Sequence, residues 1–463
     1  MSAVVSDTGA RYLLGQELAR GGEGAILAIE GVVDVVAKIY QPAPPPGYDG
    51  KLTWMLTHPP ADPAIAQGFR AFAWPSQLLY DGRDQFVGFL MPRVRNAVPL
   101  VTVFNRRRRQ QVLPAFDWRY RHQTARNLAA SLQAIHERDY VVGDLNESNV
   151  LVTPRALVAA VDTDSFQVRA ELGNAVRIFP CRVGKPEYTP PELQGTVLAS
   201  ALRRPAHDAF ALAVLIFQLL MEGNHPFRAV WLGAGEPPPL TEKIRRGIFP
   251  YAGAAGGAAV MPPASAPPWD VLHPQVAHLM LRCFVDGHGA PERRPSPAEW
   301  CRTLDEAIAS LTRCERGHWR TRGDGPCPWC RFDARAAQWA AVRRPPPRAS
   351  VLDLPVRTAA TQAAAFVPSR PAPMSSRAVG GRSVLGTLWT ALVLVGIMMA
   401  LGLGLLWAER AYSTSSLVGA PAPAPPSSTF RSFGGTGGAG GLYQCVQPGS
   451  YGVPMPRRYD RCR

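Results

Sequence analysis

The first half of the chain alternates short β-branched apolar runs with glycine-rich or charged segments, which predicts strands joined by turns. Apolar runs on both sides of ARGGEG, residues 19–24, predict a hairpin with a glycine-rich turn. VVGDLNESNVLV, residues 141–152, and VAAVDTDSFQV, residues 158–168, combine strand-like runs with carboxylates and an Asn. HDAFALAVLIFQLLMEGNHPF, residues 207–227, is apolar on all faces over most of its length, which predicts a buried core helix. The mixture predicts an α/β or α+β fold.

Further along, the composition changes several times and divides the chain. The changes predict a folded domain over 11–312, followed by a small knuckle with Cys and His over 313–332 and a Pro/Ala/Arg-rich linker over 333–382. An uncharged apolar span over 383–408 and a Pro/Gly-rich tail over 409–463 complete the division.

The span 383–408 exceeds the roughly 20 apolar residues that cross a bilayer, and Trp389 and Trp407 lie near its ends. A buried soluble helix is the alternative, but the Pro-rich and Gly-rich neighbours offer no core for it. Three arginines precede the span: Arg370, Arg377 and Arg382. The positive-inside rule therefore predicts a single-pass protein of the inner (cytoplasmic) membrane, with the folded domain in the cytoplasm and the tail outside. Small residues at i, i+4 and i+8 permit a homodimer through this helix, although lipid packing explains them equally well.

The formal net charge of +15 could suit nucleic acid, but the basic residues are mostly Arg in a composition rich in Ala, Pro and Gly. Because no basic stripe interleaved with aromatic residues is visible, no nucleic-acid partner is expected. The 8 cysteines do not form a disulfide scaffold. Three of them, Cys181, Cys283 and Cys301, lie in core-like settings and are expected to be buried thiols.

Four possible metal ligands follow the folded domain, with the spacing C-x3-H-x8-C-x2-C: Cys314, His318, Cys327 and Cys330. Three thiols and an imidazole are a ligand set of tetrahedral structural zinc sites. A redox Cys-x-x-Cys would need a thioredoxin-like βαβ context, which is absent from this sequence. The pattern therefore predicts a structural Zn²⁺.

The carboxylates within the strand-like runs need a cationic partner, since an unpaired buried charge is costly. A glycine-rich turn, Lys38 at the end of a Val-rich strand, Asp144 and Asn149 in a loop, and the later Asp162 are together the components of a phosphoryl-transfer site.

At this point the sequence resembles the protein kinase superfamily over residues 11–312, which implies an α+β, bilobal protein kinase-like fold. VGKPEYTPPE, residues 183–192, is similar to the end of a kinase activation segment, and Asp208 stands where an Asp braces the catalytic loop. Arg294 stands where kinases keep an Arg that pairs with Glu192. More narrowly, the sequences of these motifs resemble a bacterial group of kinase-like proteins that is described with helix-hairpin-helix DNA-binding regions. No such hairpin is visible here, so the DNA link is not carried over.

The resemblance implies ATP and Mg²⁺ (or Mn²⁺) as cofactors. Asp144 would orient the substrate hydroxyl and Lys38 would hold the α- and β-phosphates. Candidate ATP-binding residues are Ala19, Gly21, Gly24, Ile26, Val36, Lys38, Met91, Pro92 and Arg93. Candidate metal ligands are Asn149, Asp162 and Asp164.

Several positions depart from the kinase pattern. The His-Arg-Asp motif is Val142-Gly143-Asp144, and the catalytic-loop Lys is Asn146, which removes one cation near the γ-phosphate. Asp-Phe-Gly is Asp162-Thr163-Asp164, whose second carboxylate is a metal ligand, a hydrogen-bond acceptor or a loop cap. The helix Glu that should pair with Lys38 is not obvious, and Asp49 is the candidate.

The leading hypothesis is a membrane-anchored bacterial Ser/Thr protein kinase. The alternative is a nucleotide-binding pseudokinase that acts as a scaffold at the membrane. A small-molecule phosphotransferase would share Gly143-Asp144, but the activation-segment match that ends at Glu192 disfavours it. The resemblance also implies a metal-dependent protein phosphatase and a von Willebrand-type protein as partners, whereas the protein substrate cannot be identified from these residues.

Overall fold

A closed antiparallel barrel forms the amino-terminal part of the computed structural model, which describes residues 3–173, 175–253 and 259–342. Its strands are β1 (Ala3–Ser6), β2 (Arg11–Arg20), β3 (Gly24–Ile29), β4 (Val32–Tyr40), β5 (Gln77–Tyr80) and β6 (Phe86–Pro92). Their order around the barrel is β1-β2-β3-β4-β6-β5. Because β1 pairs with both β2 and β5, it closes the barrel, and the fold begins before the predicted boundary at residue 11.

Helix α1 (Tyr48–Thr57) connects β4 to β5 and presents a buried face made of Lys51, Leu52 and Met55. Inside the barrel, small and branched residues form a separate apolar cluster: Val4, Ile29, Ala37, Leu79 and Leu90. The predicted hairpin is therefore present as β2 and β3, with the glycine-rich turn between them.

The following part of the chain is mainly helical, with short strands at its junction with the barrel. Its helices are α2 (Leu100–Phe104), α3 (Arg106–Val112), α4 (Trp118–His136), α5 (Pro205–Leu220), α6 (Leu240–Arg245), α7 (Pro274–Leu281) and α8 (Pro297–Ser310). The strands are β7 (Val98–Pro99), β8 (Val150–Val152), β9 (Val158–Ala160), β10 (Val168–Leu172), β11 (Ala175–Phe179), β12 (Val230–Trp231) and β13 (Val260–Met261).

Helix α5 is buried from His207 to Leu220, as its uniformly apolar sequence predicts. It packs beside α4, which in turn packs against α8. One large apolar cluster continues from these helices to the face of the barrel that carries Val36 and Phe89. Strands followed by helices around this core confirm the predicted α+β class.

A third group of elements follows α8: β14 (Leu311–Arg313), β15 (Trp319–Thr321) and α9 (Pro328–Val342). Trp329 packs edge-on against Trp118 with ring centroids 4.8 Å apart, and the Trp319 indole donates to Asp117 Oδ2 at 2.6 Å. The predicted knuckle is therefore docked on the start of α4. Helix α9 continues beyond residue 332, where the linker was predicted to begin, because ARAAQWAAV is rich in the strong helix former Ala.

None of the helices in the described ranges is both long and apolar enough to cross a membrane. The predicted span 383–408, the tail and most of the predicted linker lie outside the described residues.

The predicted pair of Glu192 and Arg294 is present and bidentate, with both nitrogen–oxygen distances at 2.7 Å. Arg294 is buried, so its guanidinium depends on this carboxylate and on the carbonyl oxygens of Gly287 and Ala206. Burial raises the pKa of Glu192, but the hydrogen bonds and charge of Arg294 outweigh it and hold the pKa below its usual value of 4.5.

We expect Glu192→Gln to lower the free energy of unfolding by about 1–3 kcal/mol at pH 7, because a buried guanidinium loses its counter-charge. Since the folded state lowers the pKa of Glu192, the ion pair stabilises above the unfolded value and is lost as the pH falls through the folded value. The difference between variant and wild type should therefore shrink on acidification, measured by urea denaturation.

Glu171→Gln is the matched control, since Glu171 pairs with Arg169 on the exposed surface. It should change stability by no more than about 0.5 kcal/mol. Equal stability of Glu192→Gln and wild type at pH 7 would contradict the expectation.

Candidate active site

The predicted ATP-binding side chains lie on adjoining strands of the barrel. Ala19 on β2 is paired with Ile26 on β3, and Ile26 is paired with Lys38 on β4. Val36 on β4 is paired with Met91 on β6. Directly paired residues project from the same face of a sheet, so these apolar side chains and Lys38 form one surface.

The glycines of the turn between β2 and β3 have different roles. The Gly21 amide donates to the Gly24 carbonyl at 2.9 Å, and a Cβ on Gly21 would be in ordinary contact with that oxygen at 4.0 Å, whereas a Cβ on Gly22 would meet open space. A Cβ on Gly24 would lie 2.2 Å from the Ile39 carbonyl oxygen. Gly21 and Gly22 therefore leave the turn open to a ligand, whereas Gly24 is required by the close approach of β4.

Lys38 joins the barrel to the loop after β9. Its ammonium lies 2.6 Å from Asp162 Oδ1 and 2.7 Å from both carboxylate oxygens of Asp164. Burial lowers the pKa of Lys38, but the charges of Asp164 and Asp162 outweigh it and raise the pKa above its usual value. Lys38 is therefore charged and held at a fixed point between the two carboxylates.

The prediction that Asp49 pairs with Lys38 is wrong. Asp49 lies in the first turn of α1, and the ion pairs of Lys38 in the described structure are with Asp162 and Asp164. The carboxylates of the loop already occupy the space around the ammonium. Two residues after Asp49, α1 presents Lys51 to the same region.

Asp164 is fully buried and acts as a hydrogen-bond acceptor, one of the alternatives that the sequence left open. The Tyr40 hydroxyl donates to its Oδ2 at 2.8 Å, in addition to the two contacts from Lys38. Its backbone carbonyl accepts from the Tyr48 hydroxyl at 2.6 Å and from the Lys51 ammonium at 2.5 Å.

Asp144 lies in the loop between α4 and β8, where neighbouring amides hold its carboxylate. The Asn146 amide donates to its Oδ1 at 2.8 Å, the Lys185 backbone amide donates to the same oxygen at 3.2 Å, and the Asn149 amide donates to Oδ2 at 3.3 Å. Asn146 is buried and also accepts from the Ser148 amide, so it orients the loop. Burial raises the pKa of Asp144, and the hydrogen bond from Asn146 opposes this.

Asn149 and Asp162 lie side by side because the Val161 amide donates to the Asn149 carbonyl at 2.9 Å, next to the β8–β9 pairing. The Asn149 side-chain nitrogen is directed to Asp144, so a metal ion would take the amide oxygen. Asp144, Asn149, Asp162 and Lys38 thus meet at one junction of barrel and helices, as predicted.

Asp208 braces the loop that carries Asp144. Its Oδ2 and Oδ1 accept the backbone amides of Val142 and Gly143, each at 2.8 Å, and its Oδ2 also lies 2.9 Å from His136 Nε2. Asp208 therefore contacts the loop at the place where the sequence predicts it.

Glu23 and Lys51 belong to the site but were not predicted from the sequence. Carboxylate oxygens of Glu23, Asp162 and Asp164 lie within 4.8 Å of one another, an oxygen-rich set of the kind that suits Mg²⁺ or Mn²⁺. Burial raises the pKa of Glu23 and lowers that of Lys51 to about 8. A polar residue in the glycine-rich turn and a Lys beside apolar helix positions are the signals that could have identified them.

A cavity of about 370 Å³ adjoins this cluster. It is bounded by the glycine-rich turn, the segment before α1 and the loop after β11, through residues that include Glu23, Tyr40, Pro44, Tyr48, Ser165 and Arg182. The cluster therefore has free volume beside Glu23, but none of the residues predicted to bind ATP lines this cavity.

The predicted zinc ligands converge between β14, β15 and α9, with ligand atoms of Cys314, His318, Cys327 and Cys330 within 4.8 Å of one another. The sulfurs of Cys314 and Cys330 are 3.9 Å apart, close to the roughly 3.8 Å expected for two thiolates at tetrahedral zinc. His318 Nε2 lies 3.1 Å from Asp333 Oδ2, in the arrangement by which a carboxylate orients a ligating imidazole. The other predicted thiols, Cys181, Cys283 and Cys301, are buried and free.

Protein kinase YegI of Escherichia coli strain K12 is 34% identical to this chain over 334 residues, which are 71% of this chain and 50% of that protein. The protein of the same name from Escherichia coli O157:H7 is 34% identical over 330 residues, or 70% of this chain and 50% of that protein. The chain thus spans about half the length of the curated relatives it matches. No family model matches the chain.

Among solved structures, a rhoptry kinase from Toxoplasma gondii aligns with a TM-score of 0.41 and 14% sequence identity, over 66% of this chain and 83% of that chain. The homology to proteins named as protein kinases does not bear on the helix-hairpin-helix group.

Proposed function

We propose that this chain, a member of the protein kinase-like superfamily, is a Ser/Thr protein kinase that transfers the γ-phosphate of Mg·ATP to protein hydroxyls. The observation that carries the proposal is the convergence of Asp144 and Asn149 with Asp162, which is bonded to Lys38 at 2.6 Å. Both sides of a phosphoryl-transfer site, the phosphate-binding cation and the hydroxyl-orienting carboxylate, are present at one junction.

In this function the acceptor hydroxyl donates to Asp144, which takes its proton as the oxygen attacks the γ-phosphorus and the bond to the β–γ bridging oxygen breaks. Asn146 and the Lys185 amide hold the Asp144 carboxylate in place during this step. Asn149, Asp162 and Glu23 would hold the divalent ion, which neutralises phosphate charge. Lys38 supplies the cation for the phosphate chain. The backbone of Gly21 and Gly22, which carries no side chains, covers the phosphate chain.

A second candidate function, a nucleotide-binding pseudokinase scaffold, is favoured by a specific observation. Asn146 stands where the resemblance predicts a catalytic lysine, and its amide is fully used within the loop. Without that cation the transferred group loses part of its charge stabilisation, which is the main catalytic contribution in phosphoryl transfer.

The test uses the full chain in mild detergent with radiolabelled ATP. We expect auto- or trans-phosphorylation, reduced about 100-fold or more by Asp144→Asn, because the hydroxyl loses its proton acceptor. Asp305→Asn is the control, since Asp305 pairs with Arg126 on the exposed surface of α4 and α8. Wild-type transfer no faster than that of Asp144→Asn would reject the kinase, and Mg·ATP binding with that result would select the pseudokinase.

Anchoring in the inner membrane by the apolar span 383–408 is part of the same proposal, and it is supported by the length and flanking charges of that sequence. Full-length chain in bacterial cells should sediment with membranes and resist carbonate extraction. Chain truncated after Arg382 should be found in the supernatant. Equal distribution of the two forms would contradict the anchor.

The four-ligand cluster is proposed to hold one structural Zn²⁺, supported by its spacing and by the Asp333 contact to His318. Elemental analysis should find about one zinc per chain, and Cys330→Ser should lose most of it, because a thiolate ligand is replaced by a weak donor. Cys301→Ser, which alters a buried thiol outside the cluster, should retain the metal. Zinc content that does not differ between the two variants would exclude this site.

A further inference from the structure

The resemblance to protein kinases leads us to expect that a carboxylate on helix α1 pairs with Lys38, but the carboxylates that contact Lys38 lie in the loop after β9. We propose that Asp164, from the loop after β9, is the residue that positions Lys38, in place of a carboxylate on α1. The inference rests on the proposed function, since it concerns the cation that would hold the nucleotide phosphates.

The geometry of Asp164 is that of an anchor. Both of its carboxylate oxygens lie 2.7 Å from the Lys38 ammonium, and Oδ2 also accepts from Tyr40 at 2.8 Å. The side chain is 1% exposed, so these bonds are shielded from water and from salt. A buried carboxylate of this kind is stable only with its cation in place, and the reverse holds for Lys38.

Helix α1 contributes the opposite charge at this point. The Lys51 ammonium is buried and donates to the Asp164 carbonyl at 2.5 Å, and the Tyr48 hydroxyl donates to the same oxygen at 2.6 Å. A carboxylate on this face of α1 would be repelled by Asp164. Asp164 therefore lies between two lysines, Lys38 of β4 and Lys51 of α1. It provides the carboxylate for Lys38 that a protein kinase would provide from the helix.

The two aspartates of the loop then have different roles, Asp162 toward the metal-bound nucleotide and Asp164 toward Lys38. Asp162 is 35% exposed and meets Lys38 through one oxygen, whereas Asp164 is 1% exposed and meets it through two. When a metal-bound nucleotide takes Asp162, Asp164 keeps Lys38 in position. The position of Lys38 thus depends on the same loop as the metal, and a shift of α1 alone would not remove its partner.

The test compares variants of the full chain by the rate at which an amine-reactive acetate ester acylates Lys38, measured by peptide mass spectrometry. Asp164→Asn removes the proposed anchor, and Asp49→Asn removes the rival carboxylate on α1. The double variant Lys51→Glu/Asp164→Asn moves the carboxylate to the helix. Mg·ATP affinity is measured on the same samples by titration calorimetry.

We expect Asp164→Asn to raise the acylation rate of Lys38 by about tenfold and to weaken Mg·ATP binding by a similar factor, because the ammonium loses its closest counter-charge. Asp49→Asn should match wild type in both. The double variant should bind nucleotide better and acylate more slowly than Asp164→Asn, since a carboxylate again faces Lys38.

Wild-type acylation in Asp164→Asn, or faster acylation in Asp49→Asn, would overturn the proposal. Should Asp164→Asn fail to fold, the double variant decides alone. Slow acylation of Lys38 in the double variant supports the proposal that the loop carboxylate replaces a helix carboxylate, and fast acylation rejects it. If wild type binds no Mg·ATP, the proposed function fails, while the acylation rates still decide the role of Asp164.

Discussion

The contact of Lys38 with Asp162 and Asp164 is the interaction on which the candidate site depends. It is made across the junction of the barrel and the helical part, between residues separated by more than a hundred positions along the chain. Because the ammonium and the Asp164 carboxylate are both buried, each would be strongly destabilising without the other. The contact therefore fixes the loop after β9 against β4, and with it the position of Asp162.

A second constraint holds the other side of the site by backbone hydrogen bonds. The resemblance predicts an Arg before Asp144, but Gly143 stands there, so a phosphorylated loop has no partner at this position. Asp208 instead accepts the amides of Val142 and Gly143, and Asn146 ties Asp144 to the turn that follows it. The geometry of Asp144 is thus set by contacts that are already complete in the unmodified chain.

Sequence patterns predict the parts of this site that depend on local spacing. Asp144 and Asn149 share one loop, and Asp162 follows the next strand. The similarity of residues 183–192 to the end of an activation segment identifies Glu192, which pairs with Arg294 as expected. The apolar runs around the glycine-rich turn likewise predict the hairpin strands β2 and β3, and the uniformly apolar run predicts the buried helix α5.

What the sequence did not predict depends on tertiary contacts. The choice of Asp49 as the partner of Lys38 used the position of the helix alone, whereas the structure places Lys51 on its buried face. Glu23 reaches the cluster only because the hairpin folds over it, and β1 is recognised as part of the barrel only through its pairing with β5. Gly24 was expected to cover phosphate, but its close contact with the Ile39 carbonyl is a packing requirement.

The distribution of cations determines how much charge stabilisation the site can provide. Lys51 cannot replace the lysine missing at position 146, because its ammonium is buried and bonded to the Asp164 carbonyl. Lys185, whose backbone amide binds Asp144, carries its ammonium to Glu147 at 2.8 Å. Among the lysines that the structure describes, Lys38 is therefore the one whose ammonium contacts the carboxylates of the cluster. The negative charge of a transferred phosphoryl group would depend on Lys38 and on the divalent ion together.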